Sequence, residues 1–186
     1  MIRAIIGTVA VLAGFAVVET SSDASTSDAG GGPRASCKAT QAYAVLQPGE
    51  PVAVRAEPTP SGAVVGSLAA HRSGEGPVFS VVTLTGSQGG WARIALGSKD
   101  YSATDGATRS YGWIPADQLA VDTRLAGKVT LYDRPDLLGH AVASLENADQ
   151  KFRVLGCRGE FLQVINAEQG NVWIDRWCAR REGCRG

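Results

Sequence analysis

The chain carries one cysteine that could act as a nucleophile with a histidine as its base. Cys157 lies in a glycine-containing turn, and His140 precedes it by 17 residues. An imidazole can accept the proton of a thiol, so a Cys-His pair is a sound arrangement for covalent catalysis. His71, Asp100 and Asp105 offer no closer constellation, and neither paired carboxylates nor a phosphate-binding glycine motif stands out.

The segment around Cys157 is similar to a fragment of the active-site signature of L,D-transpeptidases. These envelope enzymes cross-link peptidoglycan through a cysteine thioester. Their signature has Ser or Thr, and commonly a second His, just before the Gly-Cys pair, where this chain has Val154 and Leu155. It also has an apolar residue between Cys and Arg, whereas Arg158 follows Cys157 directly. We therefore expect no enzyme, with the L,D-transpeptidase-like enzyme kept as an alternative.

The chain has four cysteines, Cys37, Cys157, Cys178 and Cys184. An even number behind a secretory-type N-terminus favours disulfides, and four cysteines allow three pairings. The bond that we predict first is Cys178–Cys184, because both lie close together after the last predicted strand. Cys157 could instead pair with either of them. Without a Cys-x-x-Cys pair or suitably spaced histidines, we expect no metal and no cofactor.

Four side chains of the first half are candidates for ligand binding. Arg55 could reach a carboxylate of a ligand, or it could pair with Glu57 or an Asp of its own domain. Trp91 could contribute to a ligand-binding face. Tyr101 and Tyr111 lie in a polar insertion, where a tyrosine offers both an apolar face and a polar tip. The alternative for both tyrosines is a loop pinned to its own domain.

The elements that must position these residues occur twice in the chain. The first copy runs from Val52 to Trp113 and the second from Val129 to Trp173. Each copy has four or five apolar runs of three to six residues, separated by Gly, Pro or small polar residues. Alternation of period two indicates half-buried β-strands, so we predict an all-β protein.

The two copies differ in length at three places, which we assign to turns. Relative to the second copy, the first is 4 residues longer from Leu68 to Phe79, 3 longer from Phe79 to Trp91 and 10 longer from Trp91 to Trp113. This comparison matches Phe79 with Phe152. Insertions in turns are what a duplicated fold tolerates, since turns lie on the surface.

The order of motifs in the first copy resembles the bacterial SH3-like domain. The residues that carry the resemblance are Val52-Ala53-Val54-Arg55-Ala56-Glu57-Pro58, Val65-Gly66-Ser67-Leu68, Gly90-Trp91-Ala92-Arg93-Ile94 and Gly112-Trp113-Ile114. At the matching positions the second copy has Tyr132 for Arg55, Ala143 for Gly66, Phe161 for Trp91 and Val172 for Gly112. The resemblance implies two tandem small five-stranded β-barrels that bind ligands without catalysis, as many envelope members of the family do.

The chain divides into four predicted segments. Residues 1–22 are a signal peptide or a short membrane anchor, because an uncharged, mostly apolar run of 15 residues follows Arg3. That run suits a secretory segment better than a membrane span of about 20 residues. Residues 23–36 form a flexible linker, rich in Ser, Asp and Gly. Residues 37–122 form the first barrel, and residues 123–186 the second with its cysteine-containing tail.

Composition excludes one class of partner. The formal net charge is zero, whereas a nucleic-acid-binding domain usually has a basic face. The apolar N-terminal run predicts an exported protein, periplasmic or extracellular. The resemblance to the bacterial SH3-like domain implies that it binds cell-wall glycan-peptide or an envelope protein. A membrane is a partner only through the N-terminal segment, if that segment stays uncleaved. The alternative is a protein-docking or spacer unit without wall binding.

Overall fold

The computed structural model describes residues 34–71, 76–104, 106, 109–123, 127–136, 138–146 and 149–179. The predicted signal segment, all but the last residues of the linker, and Cys184 lie outside the described residues. The strands are β1 (Ala35–Leu46), β2 (Val52–Arg55), β3 (Val64–Leu68), β4 (Val78–Gln88), β5 (Trp91–Ala95), β6 (Tyr101–Ala103), β7 (Tyr111–Pro115), β8 (Leu119–Asp122), β9 (Lys128–Tyr132), β10 (Ala141–Glu146), β11 (Lys151–Arg158), β12 (Phe161–Asn166) and β13 (Gly170–Ile174). A short 3-10 helix, Ala116–Gln118, precedes β8.

The protein is all-β, as the alternation of apolar residues predicted. The strands form one open antiparallel sheet in the order β10-β9-β13-β12-β11-β8-β1-β4-β5-β7-β2-β3-β6. Tight turns fold the chain back between neighbours. Gly89 and Gly90 join β4 to β5 with φ of 55° and 81°, the left-handed conformation that a two-residue hairpin turn requires and that glycine adopts without steric cost.

Strand register shows the internal duplication directly. Val52 pairs with Leu68, and the residues 77 positions later, Val129 and Leu145, pair with each other. Both hairpins have a register shift at the same place, next to the final pair of the ladder. We call residues 52–115 the first repeat and residues 128–174 the second repeat.

The difference of 3 residues that we assigned to the turn between Phe79 and Trp91 lies elsewhere. Leu84 pairs with Ile94 in β4–β5, and Val154 pairs with Val164 in β11–β12, each 70 positions later. The two hairpin turns are therefore equal in length, and the three extra residues lie at the start of β4. Matching Phe79 with Phe152 was wrong. Side chains alternate between the two faces of a strand, so Phe152 shares the buried face with Val154, whereas Phe79, five residues before Leu84, lies on the opposite face from Leu84.

Strand β8 belongs to both halves of the molecule. Its residues Leu119 and Ala120 pair with β1 on one side, and Ala120 to Asp122 pair with β11 on the other. The predicted boundary between residues 122 and 123 leaves β8 with the first half, although β11 of the second repeat pairs directly with it. The last described residues return to the same strand, because Cys178 and Asp122 exchange backbone hydrogen bonds of 3.0 and 2.7 Å.

The core is one cluster of apolar side chains that extends through both repeats. In β5, Ala92 and Ile94 are buried, and in β12 Leu162 and Val164 are buried, while the residues between them are partly exposed. This alternation places one face of each strand on the core. Because the core and the sheet are continuous, the two repeats form one packed unit through β1 and β8.

Candidate functional site

The start of β1 is held between the two repeats. Ala35 pairs with Ser87 of β4 on one side, and Lys38 N donates to Gly159 O at 2.8 Å on the other. The Ser87 hydroxyl also joins the repeats, because it donates to Cys157 O at 2.9 Å and accepts from Cys157 N at 3.0 Å. We call this junction, formed by the start of β1, the end of β4 and the β11–β12 turn, the seam.

A disulfide closes the seam. Cys37 and Cys157 are bonded, with their Cα atoms 5.7 Å apart and a sequence separation of 120. Cys178 is also disulfide-bonded. Its predicted partner, Cys184, lies outside the described residues, so the Cys178–Cys184 bond stays a prediction.

The bonded state of Cys157 bears on the candidate Cys-His pair. Cys157 is buried as well as bonded to Cys37, so in this state it has no thiol to deprotonate. His140 is exposed and lies beside Asp133, with 3.6 Å between its Nδ1 and a carboxylate oxygen. The backbone amide of His140 donates to Asp133 Oδ1 at 2.8 Å, and this hydrogen bond lowers the pKa of the Asp133 carboxyl. His140 therefore has a structural role, holding the turn between β9 and β10 through its contacts with Asp133.

An ion pair lies beside the disulfide at the surface of the seam. Lys38 Nζ donates to Glu160 Oε1. This hydrogen bond, and the opposite charge, lower the pKa of the Glu160 carboxyl and raise the pKa of the Lys38 ammonium group. Both side chains are largely exposed, so solvent screens their attraction strongly.

Two of the four candidate ligand-binding residues line one groove in the first repeat. Arg55 and Trp91 are 36 residues apart in sequence, but β7 lies between their strands in the sheet and brings them to the same surface. The groove has a volume of ≈ 480 Å³, and its walls include Glu50, Pro51, Pro60, Pro115 and Gln118. We call it the Arg55–Trp91 groove.

The chemistry of this groove combines a cation with apolar ring surfaces. Arg55 Nη1 donates to Gly62 O at 2.7 Å, which fixes the guanidinium group. Arg55 pairs with no carboxylate among the described residues, and a guanidinium carries five N–H donors. Its remaining donors can therefore take a carboxylate, while the half-buried Trp91 and the prolines offer an apolar wall.

Tyr101 lies away from this groove and packs on its own repeat. Its strand, β6, pairs with β3, and its hydroxyl donates to Val65 O at 3.1 Å. A Cβ atom added to Gly66 would stand 2.5 Å from the Tyr101 ring, so the ring lies directly over that glycine. Tyr101 therefore holds the insertion against its own repeat, which was the alternative to a role in ligand binding.

Tyr111 is the exposed member of the predicted tyrosine pair. Half of its surface is exposed, and the Arg93 guanidinium lies 5.3 Å from the centre of its ring. Tyr111 is not among the residues that line the Arg55–Trp91 groove, although it stands on β7 two residues before Trp113, which pairs with Arg55. Of the four candidates, the groove therefore contains Arg55 and Trp91.

Sequence reasoning missed a polar cleft between the end of β1, the 3-10 helix and β11. It has a volume of ≈ 490 Å³ and is lined by Val45, Gln47, Asp117, Gln118, Leu119, Ala120, Lys151 and Arg153. Gln118 also lines the Arg55–Trp91 groove. The alternation of Lys151 and Arg153 on either side of the buried Phe152 was a signal that both cations share one exposed face of β11.

Within the part of the chain that the structure describes, no group of three or more His, Cys, Asp or Glu side chains is placed to hold a metal ion. No helix within the same ranges has the length and apolar character needed to cross a membrane.

Two solved structures are similar to this chain at low sequence identity. No family model matches the chain, and no curated protein matches it. A solved structure of NlpC2 from Trichomonas vaginalis is similar, with a TM-score of 0.31 and 16% identity over 80% of this chain and 51% of that one. NlpC1 from the same organism gives a TM-score of 0.30 and 17% identity over 75% of this chain and 45% of that one. The chain thus spans about half the length of each of these proteins.

Proposed function

We propose that the protein is an exported, non-catalytic binding module that recognises peptidoglycan or a protein of the cell envelope. Its two repeats are proposed to be divergent SH3-like barrels joined through β8. The proposal draws on the apolar N-terminal run, on the motifs that resemble the bacterial SH3-like domain, and on the internal duplication. Arg55 and Trp91 are the proposed ligand-binding residues, and Tyr101 and Tyr111 are not.

The Arg55–Trp91 groove is the observation that carries this proposal. A stem peptide of peptidoglycan presents carboxylates and small apolar side chains along an extended backbone. The groove offers a fixed guanidinium group for the former and the Trp91 ring with two prolines for the latter. Charge-assisted contacts of arginine with a carboxylate are among the stronger hydrogen bonds, so a single one can orient a weakly bound ligand.

Cosedimentation with purified sacculi tests the proposal. The oxidised protein should pellet at low salt, and both Arg55→Gln and Trp91→Ala should reduce the pelleted fraction severalfold. Arg158→Gln and Tyr111→Ala are the matched controls, because Arg158 and Tyr111 are exposed and lie outside the groove. They should pellet like the unchanged protein. Lipid vesicles of anionic composition, sedimented in parallel, measure adhesion that depends on charge alone.

The outcomes separate the two kinds of ligand. If the unchanged protein stays in the supernatant, wall binding is wrong, and the protein-docking alternative takes its place. If all variants pellet equally, binding to the wall does not use this groove. Circular dichroism of Trp91→Ala, with Trp91→Phe as a conservative companion, ensures that a loss of binding is not a loss of fold.

A further inference from the structure

We propose that the second repeat binds an extended segment of a partner protein, which adds as an antiparallel strand to the outer edge of β10. The segment places an aliphatic side chain in the groove beside that edge. This site lies on the other repeat from the Arg55–Trp91 groove, and it goes beyond the proposed function.

The first repeat shows the same surface with a strand already on it. Its insertion returns as β6, which pairs with β3 through Leu68 and Tyr101, Ser67 and Ser102, and Gly66 and Ala103. Two more backbone hydrogen bonds extend the pairing, from Thr104 N to Val65 O at 3.1 Å and from Ala69 N to Asp100 O at 3.0 Å. The edge of β3 is therefore covered by the chain itself.

Among the residues that the structure describes, no strand covers the matching edge of the second repeat. A short turn after Asn166 replaces the insertion, and the Asn166 side chain accepts hydrogen bonds from Glu168 N and Gln169 N at 2.9 Å each. Within the described residues, β10 pairs with β9 alone. Because β10 has the register of β3, the backbone groups of Val142, Ser144 and Glu146 point to the uncovered edge. Unpaired edges of this kind are sites for strand addition.

Burial confirms that the matching surfaces differ in what covers them. Val65 of β3 is 3% exposed, whereas Val142, at the matching position of β10, is 45% exposed. Leu68 is fully buried, whereas Leu145, its counterpart, is only partly buried. The second repeat thus leaves apolar surface open where the first repeat covers it with β6.

A groove of ≈ 510 Å³ lies along the open edge. Its apolar lining comes from Leu131, Ala143, Leu145, Phe152 and Ile165. Gln150 also lines it, and Gln150 occupies the position of Ser80, whose hydroxyl bonds to Ser98 of the insertion at 3.0 Å. The groove therefore occupies the place that the insertion fills in the first repeat.

The difference between Gly66 and Ala143 determines which side chain the groove accepts. A Cβ at Gly66 would stand 2.5 Å from both the Tyr101 ring and Ser102 O. Ala143 has that Cβ, so a guest tyrosine cannot lie over it as Tyr101 lies over Gly66. An aliphatic side chain, shorter and more adaptable than tyrosine, fits beside the Ala143 methyl group and still fills the space against Phe152.

The tail and the linker of the chain do not supply this side chain, and the apolar residues 4–18 belong to the signal segment of the proposed function. Residues 180–186 are Arg-Arg-Glu-Gly-Cys-Arg-Gly, and residues 19–33 contain no Val, Leu, Ile or Met. The occupant is therefore assigned to a partner protein rather than to the chain's own tail or linker.

The test uses the capped peptide Lys-Asp-Leu-Ser-Ala-Thr, which is the sequence of residues 99–104 with Leu in place of Tyr101. Titration into the oxidised, isotope-labelled protein should give saturable amide shift changes at Val142, Ser144 and Glu146, without changes at Trp91. A short peptide should bind with Kd on the order of 1 mM, so the titration extends to about 10 mM. Absence of saturable changes at β10 at that concentration overturns the proposal.

Two substitutions separate strand addition from adhesion to an apolar surface. Ser144→Pro removes an edge N–H at an exposed position, where an edge strand tolerates proline, and should abolish the shift changes. Ser144→Thr keeps that N–H and should leave them intact. Ala143→Gly should shift preference from the Leu peptide toward the same peptide with Tyr by about tenfold, the effect of about one carbon in a pocket. Equal binding by Ser144→Pro overturns the proposed strand addition.

Hydrogen exchange without peptide tests the other occupants. The edge amide of Ser144 should exchange rapidly at every protein concentration. Protection that is independent of concentration would mean that the chain covers its own edge, and protection that grows with concentration would mean that a second copy does. Either result contradicts a partner protein as the occupant.

Discussion

The two repeats have the same strand register but differ in what covers one edge of the sheet. In the first repeat, β6 pairs with β3, and the Tyr101 ring lies over Gly66. In the second repeat, a short turn takes the place of β6 and a groove lies beside Ala143. The duplicated hairpins kept their ladders, because a shift of one residue would turn the apolar side chains away from the core. The repeats diverged in their connections instead.

The comparison also shows why the repeats are not independent. Strands β1 and β8 link them, because β4 of the first repeat pairs with β1, β1 pairs with β8, and β8 pairs with β11 of the second repeat. The seam also joins the β11–β12 turn of the second repeat to the start of β1. A small β-domain buries too little surface to be very stable alone. A continuous sheet, a common core and a disulfide add to the stability of both repeats. Because neither repeat is expected to be stable alone, experiments should use the whole chain.

The largest expected effect comes from removing the disulfide that joins β1 to the second repeat. Replacing both Cys37 and Cys157 with Ala should lower the free energy of unfolding by about 4 kcal/mol, because the bond closes a long loop in the unfolded chain. Urea unfolding followed by tryptophan fluorescence and by circular dichroism measures the change. The two probes should give one coincident transition before and after substitution. Two separate transitions in the unchanged protein would show that the repeats unfold independently.

A smaller effect distinguishes the two tyrosines of the insertion. Tyr101→Ala should destabilise the protein by about 2–3 kcal/mol, because it removes a ring packed on Gly66 and the hydrogen bond to Val65 O. Tyr111→Ala should change stability by less than about 0.5 kcal/mol, since Tyr111 is half exposed at the surface. Thermal unfolding of both variants checks this. Equal destabilisation would contradict the different roles that the structure gives them.

Much of the fold could be predicted because the signal is local. Alternation of apolar residues, glycine turns and repeated motifs predicted the duplication and the strands of both repeats except β6, which lies in the segment that we assigned to a polar insertion. The mismatch of Phe79 with Phe152 arose because spacing between motifs cannot distinguish a longer strand from a longer turn. The motif comparison began at Val52 and did not include β1 and β8, whose pairing with β4 and β11 is a tertiary feature.

The candidate site was less accessible to sequence reasoning. Residue types identified Arg55 and Trp91, but only the strand order brings them to one groove. The same types in Tyr101 and Tyr111 turned out to lie apart from it. The Cys37–Cys157 bond joins residues far apart in sequence, because β1 reaches across to the second repeat, and no local pattern contains that information.

The smallest expected effect is the pH dependence of the Lys38–Glu160 pair at the seam. Lys38 lowers the pKa of the Glu160 carboxyl, so the stability from Glu160 is present above its unfolded pKa and is lost as pH falls through the folded pKa. The pKa of Lys38 is raised by Glu160, so its contribution is present below the unfolded pKa and is lost as pH rises through the folded one. The pair should therefore stabilise the seam at neutral pH and lose its effect in acid and in strong alkali.

A double-mutant cycle of Lys38→Met and Glu160→Gln isolates this pair from the neighbouring disulfide. The coupling energy should be small at pH 7, smaller still in high salt, and absent at acid pH, because both side chains are exposed and screened. The control is the same cycle with Arg158→Met in place of Lys38→Met, since Arg158 is an exposed cation of the same turn without an ion pair to a described residue. Coupling that is insensitive to salt and pH would mean that Lys38 and Glu160 act through packing, and that the two repeats are held at the seam without electrostatic help.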